Sequence, residues 1–221
     1  MHDTRMDGMT TQNWDGIYRQ HAAYFTQPPH EDMPTVVSLF RERSVQQVLD
    51  VGCGTGRHVL FLAQQGFKVC GIDSSPEAIR AAREITRKAG FKARLTVGSM
   101  FERLPYPDRS FDAVVCTKTL NHGAIESIHA AVAEMERVLR PGGLVFIVVT
   151  KTRKALPCKK QERFCFLIAD RTLIPKTGRE IGVIHYQFSE AILLREFRRF
   201  RVLRFRVDAT SNYSMVGEKK G

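Results

Sequence analysis

An apolar run that ends in three alternating glycines is the feature that most constrains the fold of this chain. Residues 48–50 have the composition of a buried parallel strand, and Gly52, Gly54 and Gly56 follow them. An amphipathic helical pattern resumes at Val59. The order of strand, glycine turn and helix predicts an α/β fold. A ligand can lie against the main chain of this turn, because glycine has no Cβ in the way.

The spacing of the glycines restricts the class of ligand. A dinucleotide-binding turn needs glycine at its first, third and sixth positions, the last for close packing of helix on strand. Counted from Gly52, the sixth position is Arg57, which is too large for that contact. No Gly-Lys-Ser or Gly-Lys-Thr follows, so the turn is not a phosphate-binding P-loop. The pattern predicts a small, flat ligand without a pyrophosphate, and Arg57 argues against the alternative of a nicotinamide-dependent oxidoreductase.

The segment Asp50-Val-Gly-Cys-Gly-Thr-Gly56 resembles motif I of the class I S-adenosylmethionine-dependent methyltransferases. A second match, Val69-Cys-Gly-Ile-Asp73, stands where that family ends its second strand on an acid. The resemblance implies S-adenosylmethionine as the cofactor, with Asp73 accepting hydrogen bonds from two ribose hydroxyls. An acid about 20 residues after a glycine loop also occurs in other nucleotide-binding α/β folds, so Asp73 alone does not discriminate between them.

Two further segments match the same family in the expected order. Residues 98–112 contain Gly-Ser, then Leu-Pro-Tyr-Pro-Asp, and a Phe-Asp that opens the fourth strand. Residues 139–143, Leu-Arg-Pro-Gly-Gly, precede the apolar fifth strand. The resemblance implies an α/β, Rossmann-like, doubly wound sheet of seven strands, mostly parallel with an antiparallel last strand.

We expect a single methyltransferase domain, residues 1–221, with four parts. These are an N-terminal helical lid (1–44), a cofactor-binding core (45–150), an acceptor-side insertion (151–187), and a C-terminal helix and strands (188–221).

The resemblance also implies which residues hold the cofactor. They are Trp14, Tyr18, Asp50, Gly52, Cys53, Gly54, Thr55, Gly56, Arg57, Asp73, Ser74, Gly98, Ser99, Met100 and Thr117. Tyr18 would give its hydroxyl to the cofactor carboxylate and Trp14 would exclude water; the alternative is an N-terminal helix that docks its aromatic residues on the core. Ser99 and Met100 would lie along the adenine, although the commoner aspartate is absent from position 99.

The segment Leu120-Asn-His-Gly123 follows the fourth strand, where open α/β sheets bind their ligands. It resembles the Leu-x-His-His of small-molecule and tellurite-resistance-like methyltransferases. His122 is the candidate catalytic residue, since an imidazole with a reference pKa near 6.5 can take a proton from an acceptor hydroxyl or thiol. The alternative is a packing role or a hydrogen bond to the lid. Similarly, His185 or Tyr186 faces the acceptor or forms a core pair at a strand end.

Positive charge is concentrated in the last third of the chain. Residues 1–150 carry 17 Lys and Arg against 16 Asp and Glu, a net charge of +1, whereas residues 151–221 carry 17 against 7, a net charge of +10. This asymmetry is typical of a docking surface for nucleic acid, of a site for an anionic acceptor, or of a solvated basic face. The candidates for meeting an anion are Arg153, Lys159, Lys160, Arg163 and Arg179.

The five cysteines are odd in number and show no Cys-x-x-Cys spacing, which predicts reduced thiols and no metal site. Pro157-Cys158 is not the nucleophile of a cytosine C5 methyltransferase, because it follows the wrong strand and lacks that family's flanking residues. The chain begins with polar residues and has no apolar run of about 18 residues. We therefore expect a soluble, cytoplasmic protein without a membrane segment, and the sequence sets no expectation for its oligomeric state.

These features together predict an enzyme that transfers a methyl group from S-adenosylmethionine to a nucleophile on a small-molecule acceptor. Two alternatives of another class remain open at this point. One is an RNA or protein methyltransferase that docks through the basic C-terminal third. The other is a nonenzymatic protein that binds S-adenosylmethionine without turning it over.

Overall fold

The computed structural model describes residues 14–21, 27–151, 165–169 and 171–221. Several residues that carried predictions lie outside these ranges: Arg153, Pro157, Cys158, Lys159, Lys160 and Arg163.

The described strands follow the chain in this order: β1 (Gln47–Val51), β2 (Lys68–Asp73), β3 (Arg94–Val97), β4 (Phe111–Thr117), β5 (Leu139–Thr150), β6 (Cys165–Ala169), β7 (Thr172–Pro175), β8 (His185–Tyr186), β9 (Phe200–Val207) and β10 (Asn212–Lys219). The helices are α1 (Trp14–Gln20), α2 (Met33–Glu42), α3 (Arg57–Gln64), α4 (Pro76–Lys88), α5 (Ile125–Val138) and α6 (Glu190–Glu196), with a short 3₁₀ helix at Leu120–His122.

Seven of the strands form the central sheet in the order β3-β2-β1-β4-β5-β10-β9. The pairs among the first five are parallel. Strand β10 runs antiparallel to both of its neighbours, β5 and β9. The predicted doubly wound sheet with an antiparallel last strand is confirmed. The chain order reverses between β1 and β4, and a sheet of this kind binds ligands beside that switch point, outside the carboxyl ends of its strands.

Both faces of the sheet are buried, as the alternation along β4 illustrates. Val114 and Cys116 pack on one face with α5, whereas Ala113 and Val115 pack on the other with α2, α3 and α4. A strand covered on both sides needs apolar residues at successive positions, which explains the uninterrupted apolar run in this segment. The residues of β4 from Ala113 to Cys116 therefore pack on both faces of the sheet, and the polar Thr117 lies at the carboxyl end of the strand.

Helix α4 begins as its sequence predicts. The Ser75 side chain accepts a hydrogen bond from the Ala78 N–H at 3.1 Å, and Pro76 occupies the first helical position. A serine cap satisfies one of the unpaired N–H groups at a helix start, and proline has no N–H to satisfy there. This start places the N-terminus of α4 directly after Asp73.

Three predicted boundaries differ from the structure. The sequence pattern of Ala191–Phe200 indicates a helix, but α6 ends at Glu196, because Phe200 pairs with Lys219 at the start of β9. Strand β5 begins at Leu139, before the Pro-Gly-Gly segment, whose extra residues are absorbed as a register shift against β4. Strands β6, β7 and β8 form a separate antiparallel sheet, where only a turn-bearing insertion was predicted.

Two further findings concern thiols and membranes. Among the described cysteines, Cys53, Cys70, Cys116 and Cys165 are free. Within the described ranges, no helix is both long and apolar enough to cross a lipid bilayer.

Candidate active site

A cavity of about 530 Å³ opens at the carboxyl ends of β1, β2 and β4. This volume is in the range of small-molecule and cofactor sites. Most of the predicted site residues line it: Trp14, Tyr18, Gly52, Cys53, Gly54, Thr55, Arg57, Asp73, Ser74, Gly98, Ser99, Met100, Thr117 and His122. The wall also contains residues that the sequence did not single out: Gln27, His58, Ile72, Phe101, Lys118, Thr119, Gly123, Ala124, Ser127, Glu180 and Ile184.

The glycine loop forms the floor of this cavity through bare main chain. Gly52 has φ +69°, and a Cβ on it would come within 2.2 Å of the Thr119 side chain. Gly54 has φ +54°, and a Cβ there would lie 2.9 Å from the Tyr18 hydroxyl. Both positions therefore require glycine for two reasons: the positive φ, and a neighbouring side chain that lies where a Cβ would be. The N–H groups of Gly52 and Cys53 donate to the Ile72 carbonyl, which ties the loop to the end of β2.

Asp73 stands at the end of β2 with its carboxylate held by two main-chain donors. The Gly54 N–H donates to Oδ2 at 2.8 Å, and the Ser75 N–H donates to Oδ1 at 3.0 Å. Burial raises the pKa of Asp73, although these two N–H groups oppose the shift. A carboxylate offers about four acceptor positions. Each oxygen therefore keeps acceptor capacity for a ligand hydroxyl after its contact with the protein is counted.

Two of the predicted cofactor residues, Asp50 and Gly56, are not part of the cavity wall. Gly56 has φ +87° and begins α3 with its α-carbon against α4, where a Cβ would lie 2.8 Å from the Ala82 Cβ. Its role in the structure is the close packing of two helices. Asp50 is buried within β1, and neither of its carboxylate oxygens has a hydrogen-bond partner in the described structure.

The buried Asp50 carboxyl has a strongly altered acidity. Burial raises its pKa to about 7, and the Asp73 carboxylate adds to the rise while the Arg57 guanidinium opposes it. Two carboxyl groups close together, with the single guanidinium of Arg57 opposing them, favour a ligand with positive charge. S-adenosylmethionine carries a sulfonium and an ammonium group, so the donor set fits this cofactor.

Replacing Asp50 with asparagine should stabilise the ligand-free protein by an amount that grows with pH. The folded-state pKa is about 7, whereas an aspartate in the unfolded chain titrates near 3.9. Wild-type stability therefore falls as the pH rises through this window, because only the unfolded state releases its proton easily. Between pH 5 and pH 8, urea unfolding should show the advantage of the variant growing by about 2 kcal/mol. An advantage that does not change with pH would contradict a buried, titrating carboxyl.

Helix α1 closes one side of the cavity, and Asp15 anchors it. The Asp15 carboxylate accepts from the Ser75 hydroxyl at 2.9 Å and from the Glu77 N–H at 2.8 Å, at the start of α4. A carboxylate is favoured at a helix N-terminus, where N–H groups are unpaired and the dipole is positive. This contact holds Trp14 and Tyr18 over the glycine loop, and sequence reasoning did not identify it.

A buried histidine behind the loop orients Thr117 at the end of β4. The His30 N–H donates to His58 Nε2 at 3.0 Å, so Nε2 is unprotonated and Nδ1 carries the proton. His58 Nδ1 lies 3.2 Å from the Thr117 hydroxyl oxygen and donates to it. Burial holds the pKa of His58 well below its usual range, which keeps it neutral. The Thr117 hydroxyl then has its own hydrogen to donate toward the cavity.

The opposite end of the cavity carries the segment after β3. The Ser99 hydroxyl oxygen accepts from the Phe101 N–H at 3.1 Å, and Met100 is buried. The Phe101 ring lies against Gly123, where a Cβ would come within 2.7 Å of it. This contact fixes an aromatic residue at the cavity wall that sequence reasoning missed. A flat ring bound here would meet apolar surface and the Ser99 hydroxyl.

His122 lies at the remaining side, in the 3₁₀ helix after β4. Its Nδ1 is 3.3 Å from the Ile184 carbonyl oxygen, and its Nε2 is 3.4 Å from the Asn121 side-chain nitrogen. The rings of Trp14 and His185 meet it edge-on, with centroids at 4.6 Å and 4.7 Å. Burial, assisted by the neighbouring His185, lowers the pKa of His122 to about 4. His122 is therefore neutral at physiological pH.

Several basic residues of the last third form ion pairs with acidic side chains. Arg199 pairs with Glu136, Arg201 with Glu218, and Arg206 with Glu31 and Asp32. The side chains of Arg199 and Arg201 are exposed. Exposed ion pairs of this kind contribute little to stability. In each pair, the acidic side chain offsets the positive charge that the arginine would present to an anion. Of the predicted anion candidates, only Arg179 lies in the described ranges, on the exposed surface of the small sheet's connecting segment.

Comparison with known proteins gives consistent matches to one family. A family model for a methyltransferase domain matches residues 48–143. The demethylmenaquinone methyltransferase of Symbiobacterium thermophilum is 31% identical over 189 residues, which are 80% of this chain and 71% of that protein. The demethylmenaquinone methyltransferase of Tropheryma whipplei (strain Twist) is 37% identical over 103 residues, 46% of this chain and 41% of that protein.

The fold is also similar to that of a methyltransferase whose structure has been solved. A SAM-dependent methyltransferase from Methanosarcina mazei superposes with a TM-score of 0.69 at 27% identity, covering 79% of this chain and 92% of that one. The chain spans about half the length of the first curated relatives that it matches, between 41% and 50%. That the chain belongs to the tellurite-resistance-like branch of the family stays a prediction.

Proposed function

The chain belongs to the family of S-adenosylmethionine-dependent methyltransferases, and on that premise we propose that it transfers a methyl group from S-adenosylmethionine to a nucleophile on a small-molecule acceptor. The observation that carries the proposal is the single cavity wall that joins the glycine loop, Asp73 and His122 at the strand ends. The first two suit the cofactor, and His122 lies where an acceptor would enter.

The residues that would hold the cofactor follow from their chemistry. Asp73 would accept the ribose hydroxyls, the Tyr18 and Thr117 hydroxyls would meet the amino-acid end near Gly54, and Ser99 would meet the adenine edge. When bound, the cofactor supplies a methyl group on a sulfonium, which is a good leaving group. Most of the catalysis can then come from alignment, for which effective molarities correspond to about 7–11 kcal/mol.

The protein's own contribution is to align the acceptor and exclude water. Trp14 covers the acceptor side by its edge contact with His122. Because His122 is neutral, it carries no charge that would repel the cofactor's sulfonium, and one ring nitrogen has a lone pair that can receive a proton. The lone pair can accept a hydrogen bond from an acceptor hydroxyl or thiol, whereas the lowered pKa makes His122 a weaker base than a free imidazole.

A small acceptor is favoured over a macromolecule by the walls of the cavity and by the relatives. Trp14, Phe101 and Ile184 present apolar surface around His122. The Symbiobacterium and Tropheryma relatives are named for demethylmenaquinone, which is not a macromolecule. The ion pairs of Arg199 and Arg206 with acids of the first 150 residues, Glu136 and Asp32, compensate part of the positive charge counted for residues 151–221. An acceptor with a hydroxyl on an aromatic ring fits these features.

The substrate class can be tested with labelled S-adenosylmethionine against quinols, thiols, amines, oxyanions and total RNA. We expect label to pass to an organic small molecule. Transfer to RNA alone, with affinity that falls steeply as salt increases, would support the nucleic-acid alternative instead. Tight cofactor binding without transfer to any acceptor would support the nonenzymatic alternative.

Replacing His122 with alanine should lower kcat by about 100-fold, a typical effect of removing a group that handles a proton. Affinity for S-adenosylmethionine should change by less than about threefold, because other residues hold the cofactor. The control is His129→Ala, since His129 is exposed and pairs with Glu196 on the outer face of α5. Equal turnover by wild type and His122→Ala would leave His122 a packing role.

A further inference from the structure

Three side chains with metal-ligating atoms meet at the acceptor end of the cavity. A ring nitrogen of His122, a ring nitrogen of His185 and a carboxylate oxygen of Glu180 all lie within 4.8 Å of one another. They come from two separate parts of the chain: His122 from the 3₁₀ helix after β4, Glu180 from the segment that joins β7 to β8, and His185 from the start of β8. The sequence predicted no metal site because that prediction rested on cysteine spacing.

One polar atom of this cluster has no hydrogen-bond partner among the described residues, whereas both ring nitrogens of His122 have one. His185 Nε2 is buried and has no hydrogen-bond partner in the described structure. Glu180 Oε2 lies 3.0 Å from it, but the contact does not have hydrogen-bond geometry. An unsatisfied buried nitrogen costs about 1–3 kcal/mol. A cation between His185 and Glu180 would satisfy both.

Neighbouring groups fix the orientation of the His122 ring, as hydrogen-bond partners commonly do for metal-ligating histidines. The Ile184 carbonyl lies 3.3 Å from His122 Nδ1, and such a contact from a backbone carbonyl fixes the ring of a ligating histidine. The edge of Trp14 limits rotation of the same ring. In a tetrahedral site with bonds of about 2.1 Å, ligand atoms are about 3.4 Å apart. Small side-chain rotations would bring this cluster to that spacing.

We propose that His122, Glu180 and His185 bind a divalent transition metal of the zinc class at the acceptor end of the cavity. Two imidazoles and one carboxylate are a donor set for such metals, and they leave positions open for another ligand. His122 and Glu180 line the cavity, so these positions face the acceptor.

This inference rests on the proposed function and refines it. An acceptor hydroxyl that coordinates the metal becomes more acidic and releases its proton to solvent. The acceptor oxygen then forms a bond to the methyl carbon while the carbon–sulfur bond of the cofactor breaks, and sulfur keeps the electron pair. His122 would act through the metal in this arrangement, and the acceptor would be an oxygen nucleophile.

The test is a titration of the chelator-treated full-length protein with Co²⁺, followed by its visible absorption and by calorimetry. We expect one ion per chain and a spectrum of low-symmetry coordination. His185→Ala and Glu180→Gln should each weaken binding at least about 30-fold, whereas His129→Ala should bind as wild type does. The Glu180→Gln variant keeps the side-chain volume, so a loss in that variant is not a folding defect.

The same samples are titrated with S-adenosylmethionine to separate this inference from the proposed function. Retained cofactor binding with no stoichiometric Co²⁺, or Co²⁺ binding that His185→Ala and Glu180→Gln leave unchanged, would overturn the metal site alone. Loss of cofactor binding in the wild type would overturn the proposed function instead.

Discussion

Replacing Asp73 with asparagine should weaken binding of S-adenosylmethionine by about 100-fold, since hydrogen bonds to a charged group are worth about 1.5–3 kcal/mol. The carboxylate at the end of β2 accepts from Gly54 and Ser75 and keeps capacity for two hydroxyls. An amide has one oxygen in place of two and places donors where acceptors are needed. Calorimetric titration of the purified variant measures the loss directly.

The matched control is Asp112→Asn. Asp112 also accepts from two main-chain N–H groups, those of Gln46 and Gln47, at the opposite end of β1. Its other oxygen pairs with Arg140, and Asp112 has no place in the cavity wall. We expect both variants to lose stability and only Asp73→Asn to lose cofactor affinity. Unchanged affinity in that variant would remove Asp73 from the ribose.

Replacing Gly56 with alanine should lower the free energy of unfolding by about 2–4 kcal/mol. Overpacking a close contact typically costs about 1–3 kcal/mol, and a left-handed conformation adds about 1 kcal/mol for a residue with a Cβ. The new Cβ would lie 2.8 Å from the Ala82 Cβ and 3.0 Å from its Cα. The second atom is backbone, so α3 and α4 must move apart.

The Gly66→Ala variant separates the cost of the left-handed backbone conformation from the cost of the contact with α4. Gly66 has φ +91°, close to the +87° of Gly56, but a Cβ there would meet nothing within 4 Å. We expect it to lose only about 1 kcal/mol in urea unfolding. Equal losses in the two variants would mean that the backbone conformation, and not the contact of α3 with α4, requires glycine at position 56.

The cofactor side of the cavity is the part that the sequence predicts well. Strand, glycine loop, acid and helix cap follow one another within a short stretch of chain, from Val48 to Pro76, and each has a local physical signature. The antiparallel last strand was implied by the family resemblance and not by a local pattern, because β10 is buried at six successive positions. Gly56 shows the limit of such patterns, because its neighbour Ala82 is distant in sequence and the glycine spacing alone does not reveal which surface needs the space.

The acceptor side depends on contacts that are distant in sequence and carry no periodic signal. Strand β8 has two residues, and it is defined only by pairing with β7 across the connecting segment. That pairing brings Glu180 and His185 to His122. The anchoring of α1 by Asp15 and the orientation of Thr117 by His58 also join remote positions. A lone acid or histidine has no sequence pattern that would have identified either contact.

The measurement that tests the central claim most directly is a calorimetric titration of the unaltered protein with S-adenosylmethionine, compared with the same titration with NAD. The account predicts saturable binding of one S-adenosylmethionine per chain and no binding of the dinucleotide. Absence of S-adenosylmethionine binding, or saturation by NAD, would contradict it.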